Sequence, residues 1–324
     1  MRTVKKHSEN NPGKLWHKAL SAFMVLMLAA FLAAPLSGCR NSAGGGSSES
    51  QEPYKTATEE FFLDRGDGTY SLAEAVYPEN YNGPMPLIAI AHGFKGTLNS
   101  GGAKELSQKL AEAGYAAVRM DFNPRRSPEK DAPKTDLYDL KSMEDDMVRA
   151  VNYMIGHHSI DTDRLGLYAR SMGGRVAMTM ANEQLGGFDF KAMALVAPAG
   201  TDDAMVYYMG GSKSWEEMKK TASREGFIEH QGQKLTPECF KEFEDYNPCD
   251  FGYKFGDRPV LVICNTLDYV VTDETSRECA AAYKNSRVIE VTTDNYHGYE
   301  MGYEKSDLKD YLMSEITDFF RINL

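Results

Sequence analysis

Cysteine is scarce in this sequence. There are five in 324 residues, and Cys39, Cys239, Cys249, Cys264 and Cys279 fall in no spacing with histidine that resembles a zinc site. No metal is expected, and no disulfide scaffold is needed, because a chain this long buries a full core without one. Positive charge is also in deficit: 36 Lys and Arg stand against 47 Asp and Glu, a formal net charge of −11. Five of the basic residues, Arg2, Lys5, Lys6, Lys14 and Lys18, sit at the N-terminus against one acid, Glu9, so the remainder is more acidic still. Such a body is repelled by nucleic-acid phosphates and anionic head groups, which excludes a nucleic-acid function. What remains is ordinary for a globular protein, with 42% hydrophobic and 26% charged residues.

The N-terminal lysines precede the apolar run "ALSAFMVLMLAAFLAAPL", and the run ends in "LSGC", residues 36 to 39. The run approaches membrane-spanning length. However, "LSGC" resembles a bacterial lipobox, in which the peptide is cut before a cysteine that then carries lipid. Residues 1–38 thus read as a lipoprotein signal peptide and Cys39 as the lipidated residue. The Gly/Ser-rich stretch that follows, residues 39–54, reads as a flexible tether. The expectation is an extracytoplasmic protein held on a bacterial membrane by lipid at Cys39. Four cysteines then remain. Cys239 and Cys249 are close enough for a local bridge, and Cys264, inside an apolar strand pattern, reads as a small buried hydrophobe.

From residue 55 onward the pattern alternates. "TATEEFFL" and "YSLAEAVYP" around "DRGDG" predict a hairpin. "MPLIAIA", "AAVRMDF", "RLGLYA", "KAMALVAPAG", "RPVLVICNT" and "RVIEVTT" predict strands. Between and after them, helical periodicity appears in "AKELSQKLAEAGY", "DLKSMEDDMVRAVNYMIGH", "GGRVAMTMANEQL", "DETSRECAAAYK" and "KDYLMSEITDFFRI". Alternation on this scale implies a mainly parallel sheet flanked by helices. It breaks once, at residues 201–258, an insert rich in Met and aromatics such as Met205, Tyr208, Trp215, Phe240 and Phe243. An insert at this point reads as a cap over a site, or as a helical decoration with its own small core.

The chemistry concentrates in "LYARSMGGRV", residues 167–176. A hydrolytic serine needs a base, an acid to orient that base, and donors for an oxyanion. A strand-turn-helix exposes the serine oxygen on a strained turn whose neighbours two before and two after must be small. Around Ser171 these are Ala169 and Gly173, with Gly174 letting the helix pack close; alanine adds a methyl to the expected tightest contact. Taken alone, the segment also fits an ordinary structural serine. Partners of such a site follow in the order serine, acid, histidine. Of seven histidines only His230 and His297 come after Ser171. His230 falls on polar sequence within the insert and reads as a surface residue, whereas His297 lies in "DNYHGYE", after a strand. Asp268 ends the strand "RPVLVICNT" and is the favoured acid. Asp273 opens the next helix and suits a capping role, and Asp294 is too near His297 to orient it. In "IAIAHGFKG", Gly93 allows close backbone approach to a carbonyl, the Phe94 amide joins that of Met172 as a donor, and His92 supports the loop.

With these residues in view, the whole of 55–324 resembles the α/β-hydrolase superfamily, and in particular bacterial serine esterases of the cinnamoyl/feruloyl type. The resemblance rests on "HGFKG", "VRMDFN", "LYARSMGG", "ALVAPAG", "PVLVICNTLDYVV" and "YHG". It implies an α/β-hydrolase fold with a mainly parallel twisted sheet and an inserted cap at about 201–258. It also implies Ser171, Asp268 and His297 as a triad, Phe94 and Met172 as oxyanion donors, a small-molecule ester as substrate, and no cofactor. "IDTDRLGLYARSMGG" is similar as well to the catalytic segment of prolyl-oligopeptidase-like peptidases. A non-catalytic binding lipoprotein on the same scaffold is the third reading. Three departures stand out. Arg170 replaces the usual histidine before the serine; a guanidinium there could favour an acidic substrate or pair with a carboxylate such as Asp121 or an acid of the insert, and the pairing is the favoured expectation. "PRRSPEK" brings Arg125 and Arg126 near the sheet edge, and "ICNTLD" replaces the more usual "IHGTDD".

Overall fold

The computed structural model describes residues 52–324 apart from residue 136. The expected signal peptide 1–38, Cys39 and most of the expected tether 39–54 lie outside the described residues. The described chain opens with an antiparallel hairpin, β1 (Thr56–Asp64) and β2 (Tyr70–Pro78), paired from Thr56 opposite Pro78 to Asp64 opposite Tyr70. Its turn is made by side chains: Asp64 and Asp67 each accept a backbone N–H two residues on, at 2.8 Å.

Strands and helices then alternate. β3 (Met85–Ala91) leads through α1 (Ala103–Glu112) to β4 (Ala116–Met120); a two-residue β5 (Leu137–Tyr138) precedes α2 (Leu140–His157). β6 (Ile160–Arg170) runs into α3 (Met172–Glu183), and β7 (Phe190–Val196) ends where the insert begins. The insert contains α4 (Asp202–Tyr208), α5 (Ser212–Glu225), β8 (Ile228–His230), β9 (Gln233–Leu235), α6 (Pro237–Asp245) and a 3-10 helix, Pro248–Phe255. β10 (Val260–Asn265), α7 (Asp273–Ala281), β11 (Ser286–Val291) and α8 (Asp307–Asn323) complete the fold.

The main sheet has eight strands in the order β1-β2-β4-β3-β6-β7-β10-β11. The β1–β2 and β2–β4 pairs are antiparallel and the others parallel. β3 and β4 are buried at every position, so their sequences are continuous apolar runs: both faces are covered. Alternate residues serve different layers. Leu87, Ala89 and Ala91 of β3 join α2 and α3 residues such as Met147 and Val176 in one core. Ile88 and Ile90 pack with Leu106 and Leu110 of α1 and with Ile316 and Phe320 of α8 in the other.

The insert is less helical than its sequence suggests. β8, β9 and β5 form a second sheet, with β9 antiparallel to β8 and parallel to β5. Strands of two or three residues are too short to display alternation, so none of them is visible in the sequence. Within the insert Trp215 meets Phe240 and Phe243 edge-on at 4.8 and 6.0 Å, and these rings are continuous with the core that holds α2 and α3. It is tied to the body by Arg175 of α3, a buried residue that donates to the carbonyls of Thr201 (3.1 Å), Phe243 (2.9 Å) and Tyr246, and pairs with Asp202 (3.3 Å).

The local Cys239–Cys249 bridge is not formed. All four described cysteines are free, and Cys249 Sγ lies 3.5 Å from Cys279 Sγ of α7, while Cys239 sits on the buried face of α6. Cys264 is buried within β10. Among the described residues no helix is long and apolar enough to cross a membrane.

Candidate active site

Ser171 stands alone between β6 and α3, with φ 54° and ψ −123°. A non-glycine residue at such dihedrals is strained and persists only where its surroundings over-determine it. Here they do: Ser171 N donates to Val196 O (3.0 Å), and Ser171 O accepts from Gly174 N (2.8 Å) and Ala199 N (3.0 Å). The glycines explain why the turn is so tight. A Cβ on Gly173 would lie 2.5 Å from the carbonyl oxygens of both Ala91 and His92, one on Gly174 would lie 2.8 Å from Pro198 Cα, and one on Gly93 2.9 Å from Ser171 Cβ. Ala169, expected to be the tight point, is not. It is buried in β6 between Ala91 of β3 and Leu195 of β7, and its methyl belongs to the core.

The loops after β10 and β11 bring Asp268 and His297 to this turn. His297 Nδ1 is 2.7 Å from Asp268 Oδ2, and His297 Nε2 is 3.0 Å from Ser171 Oγ. A carboxylate only accepts, so Nδ1 carries the proton and Nε2 is free to accept from the serine hydroxyl. The other Asp268 oxygen accepts from Val270 N (2.8 Å) and Val271 N (3.1 Å), which fixes the carboxylate plane. Asp273 does open α7, but the cap is Thr272, whose hydroxyl accepts from Thr275 N (3.3 Å), and Asp273 pairs with Arg277. Asp294 is exposed.

Asn265, singled out in the sequence only as part of the "ICNTLD" departure and given no role there, joins the two loops. Fully buried at the end of β10, its Nδ2 donates to Thr293 O (2.9 Å) and Tyr296 O (2.8 Å), and its Oδ1 accepts from Leu267 N (3.2 Å) and Thr293 N (3.0 Å). Its own N–H donates to the Tyr299 hydroxyl at 2.8 Å. The available signal was an amide side chain closing an apolar run, "VLVICN", where burial demands that every polar atom be paired. Arg175 gave a similar signal, a charge inside the apolar helix behind Ser171.

The Phe94 and Met172 amides donate to no acceptor among the described residues; Met172 N, at the first position of α3, has no helical partner. His92 braces the loop that carries Phe94. Its Nε2 accepts from Phe122 N (3.1 Å) and its Nδ1 donates to Gly93 O (2.7 Å), and burial draws its pKa down to about 4. His230 is not simply a surface residue: half-buried at the end of β8, it lies 6.5 Å from the Phe94 ring.

Arg170 does not make the expected pairing. Asp121 is engaged by Arg125 and Lys134, each at 3.0 Å, and by Leu98 N. The Arg170 guanidinium instead lies 5.7 Å above the Tyr299 ring. Arg125 is buried in its ion pair and Arg126 is exposed, so neither enters the site.

Two cavities flank Ser171. One, of about 80 Å³, is apolar and lined by Met172, Ala199, Ala204, Met205, Tyr208, Val270 and Val271 beside Phe94, Ser171 and His297. The other, of about 270 Å³, holds Arg170, Lys95, Tyr168 and Gly101 beside the same three residues. A further depression, about 340 Å³, lies at the amino-terminal end of β3 near Tyr81 and His158, away from this chemistry. No group of three or more metal-ligating side chains is placed to hold an ion among the described residues.

Sheet order, strand-turn-helix and loop placement together define the class: the chain has the α/β-hydrolase fold. The family model described as serine aminopeptidase, S33, matches residues 83–232. Est1E from Butyrivibrio proteoclasticus, solved with ferulic acid bound, superposes with a TM-score of 0.65 at 20% identity, covering 81% of this chain and 98% of that one. An acetyl xylan esterase from Paenibacillus sp. R4 gives 0.59 at 18%, covering 83% and 84%. The mouse alpha/beta hydrolase domain-containing protein 10 gives 0.59 at 15%, covering 82% and 99%. No curated protein matches the chain in sequence.

Proposed function

We propose that the protein is a serine hydrolase that cleaves carboxylic esters. The observation that carries this reading is the line Asp268–His297–Ser171, with contacts of 2.7 and 3.0 Å, ending on a strained serine beside two unpaired amides. In this reading His297 Nε2 takes the Ser171 proton as Oγ attacks the ester carbonyl, and Asp268 holds the tautomer and balances the imidazolium. The Phe94 and Met172 amides receive the oxyanion. The imidazolium returns its proton to the leaving alkoxide, giving an acyl-enzyme; water activated by His297 then releases the acid and restores Ser171. The insert 201–258 acts as a cap, supplying Met205 and Tyr208 to the apolar cavity.

A peptidase is the second reading, favoured by the match to the serine aminopeptidase family model. Against it, neither cavity at Ser171 is lined by a carboxylate that could hold a protonated peptide N-terminus. We also place the protein outside the cytoplasm, held on a bacterial membrane by lipid on Cys39; labelled fatty acid incorporated into the chain and lost in Cys39→Ser tests this.

The enzymatic reading is tested with the full-length chain beside Ser171→Ala, on short-chain nitrophenyl esters, methyl ferulate and aminoacyl anilides. Ester cleavage that falls by several orders of magnitude in the variant is expected. Cleavage of the anilides alone would move the protein to the peptidases. Silence across the panel, with Ser171 unlabelled by a fluorophosphonate, would leave a binding protein.

A further inference from the structure

Each buried arginine of the described chain has an acid partner, whereas the half-buried arginine beside Ser171 has none. Arg119 pairs with Glu74, Arg125 with Asp121 and Arg175 with Asp202. Arg170, half-buried in the wall of the larger cavity, forms no ion pair and donates no hydrogen bond to any described residue. This is not for want of acids, which outnumber bases by 47 to 36 in the chain. The cavity wall carries a second cation, Lys95, which donates to Gln231 Oε1 (3.1 Å), and no carboxylate at all.

The guanidinium is seated rather than loose. It rests on the Tyr299 face, and a Cβ on Gly101 would lie 2.6 Å from its Nη1, so this glycine, at φ +62°, leaves the space the group occupies. Burial lowers the pKa of Arg170 as it does for Arg119 and Arg175, so what sets Arg170 apart is that it has no acid beside it. A fixed guanidinium with free N–H donors, opening on a cavity shared with a nucleophile, is a receptor for a planar oxyanion. The opposite side of Ser171 is apolar, so the two halves of an ester bound there meet very different surroundings.

We infer that the substrate is an ester carrying a carboxylate in the half that occupies the Arg170 cavity, and that Arg170 is the specificity residue that receives it, with Lys95 adding positive potential at the cavity wall. This rests on the ester-hydrolase reading above. A carboxylate there replaces the hydration that Arg170 has lost, whereas a neutral group leaves the cation unpaired, which makes the discrimination steep.

The test uses matched pairs differing in one charge. One pair carries it on the acyl half, monomethyl adipate against methyl adipamate, and one on the alcohol half, 4-acetoxybenzoate against 4-acetoxybenzamide. In one pair the full-length protein should favour the carboxylate about 10- to 100-fold in kcat/KM. The preference should collapse toward unity in Arg170→Gln, persist in part in Arg170→Lys, and shrink with added salt. No preference in either pair, or a preference that survives Arg170→Gln, overturns the inference; a role confined to bracing Tyr299 would change both members of a pair alike. If no ester is turned over, or turnover survives Ser171→Ala, it is the hydrolase reading that fails. Calorimetry then decides on the cation site alone: adipate or 4-hydroxybenzoate should bind Ser171→Ala but not the Ser171→Ala/Arg170→Gln double variant. Absence of binding to both overturns the inference.

Discussion

Asn265 is the side chain on which the relative placement of Asp268 and His297 depends, and Asn265→Ala makes the dependence measurable. The amide makes four hydrogen bonds, two donated to Thr293 and Tyr296 carbonyls and two accepted from Leu267 and Thr293 amides. At about 1 kcal/mol net for each, with the two Thr293 groups left buried and unpaired, the loss comes to about 3–5 kcal/mol. For a chain of this size that lowers Tm by about 10 °C. The kinetic effect is separate. Asn265 lines neither cavity, so KM should hold, but the loops it ties together carry the proposed acid and base. Freeing them by about 1 Å costs on the order of 10²-fold in kcat. Asn265→Asp keeps the shape but turns an anion toward two carbonyl oxygens, and should be no better. The assay is thermal unfolding beside initial rates on a nitrophenyl ester, at a temperature where both proteins are folded. An unchanged Tm refutes the hydrogen-bond accounting. A lowered Tm with unchanged kcat refutes the claim that this network positions the relay.

Gly173→Ala drives a methyl onto two carbonyl oxygens of the β3 loop, and should cost about 1–3 kcal/mol in urea denaturation and displace the Met172 amide, lowering kcat about 10²-fold. Ala169→Gly, which restores the more usual residue, should destabilise by about 1 kcal/mol without raising kcat, because that methyl is core. Arg175→Met leaves the Thr201, Phe243 and Tyr246 carbonyls without their donor, and should lower stability by about 3–5 kcal/mol, with limited proteolysis cutting first within 201–258. Burial raises Glu144 of α2 and Glu242 of α6 to about 7. These groups hold protons in the folded state that the unfolded chain has released, so stability should fall as pH rises from about 4.5 to about 7 and then level off. Melting between pH 4.5 and 8 should show this slope, and Glu144→Gln/Glu242→Gln should flatten it.

The sequence was most informative where burial is complete. β3, β4, β7 and β10 appear as apolar runs because both faces are covered, and the hairpin appears because "DRGDG" has turn chemistry of its own. Chain order singled out Asp268 and His297 as companions of Ser171, and the fold brings the three into one hydrogen-bonded line. Contacts between distant segments left no local trace. Nothing near Arg170 in sequence shows that Arg125 and Lys134 have already taken Asp121. Nothing near Cys249 points to Cys279, thirty residues on. The Ala169 departure could not be weighed from sequence either, since the steric limit of the turn lies at Gly173 and Gly93, set by β3 backbone and by Ser171 itself.

The small sheet bears on how this protein can be recombined. β5, before α2, pairs through Leu137 and Tyr138 with Lys234 and Leu235 of the insert, and the Tyr138 ring meets Phe94 edge-on at 4.7 Å. The insert is therefore not a cassette bounded by residues 201 and 258. Exchanging that segment alone for a relative's would strand β5, orphan the Arg175 donors and remove a support from the loop that bears one of the two proposed oxyanion amides. The heritable unit is discontinuous: 137–138, Arg175 and 201–258 must travel together, so a chimera made at the obvious junctions would lose rate before it gained a new specificity.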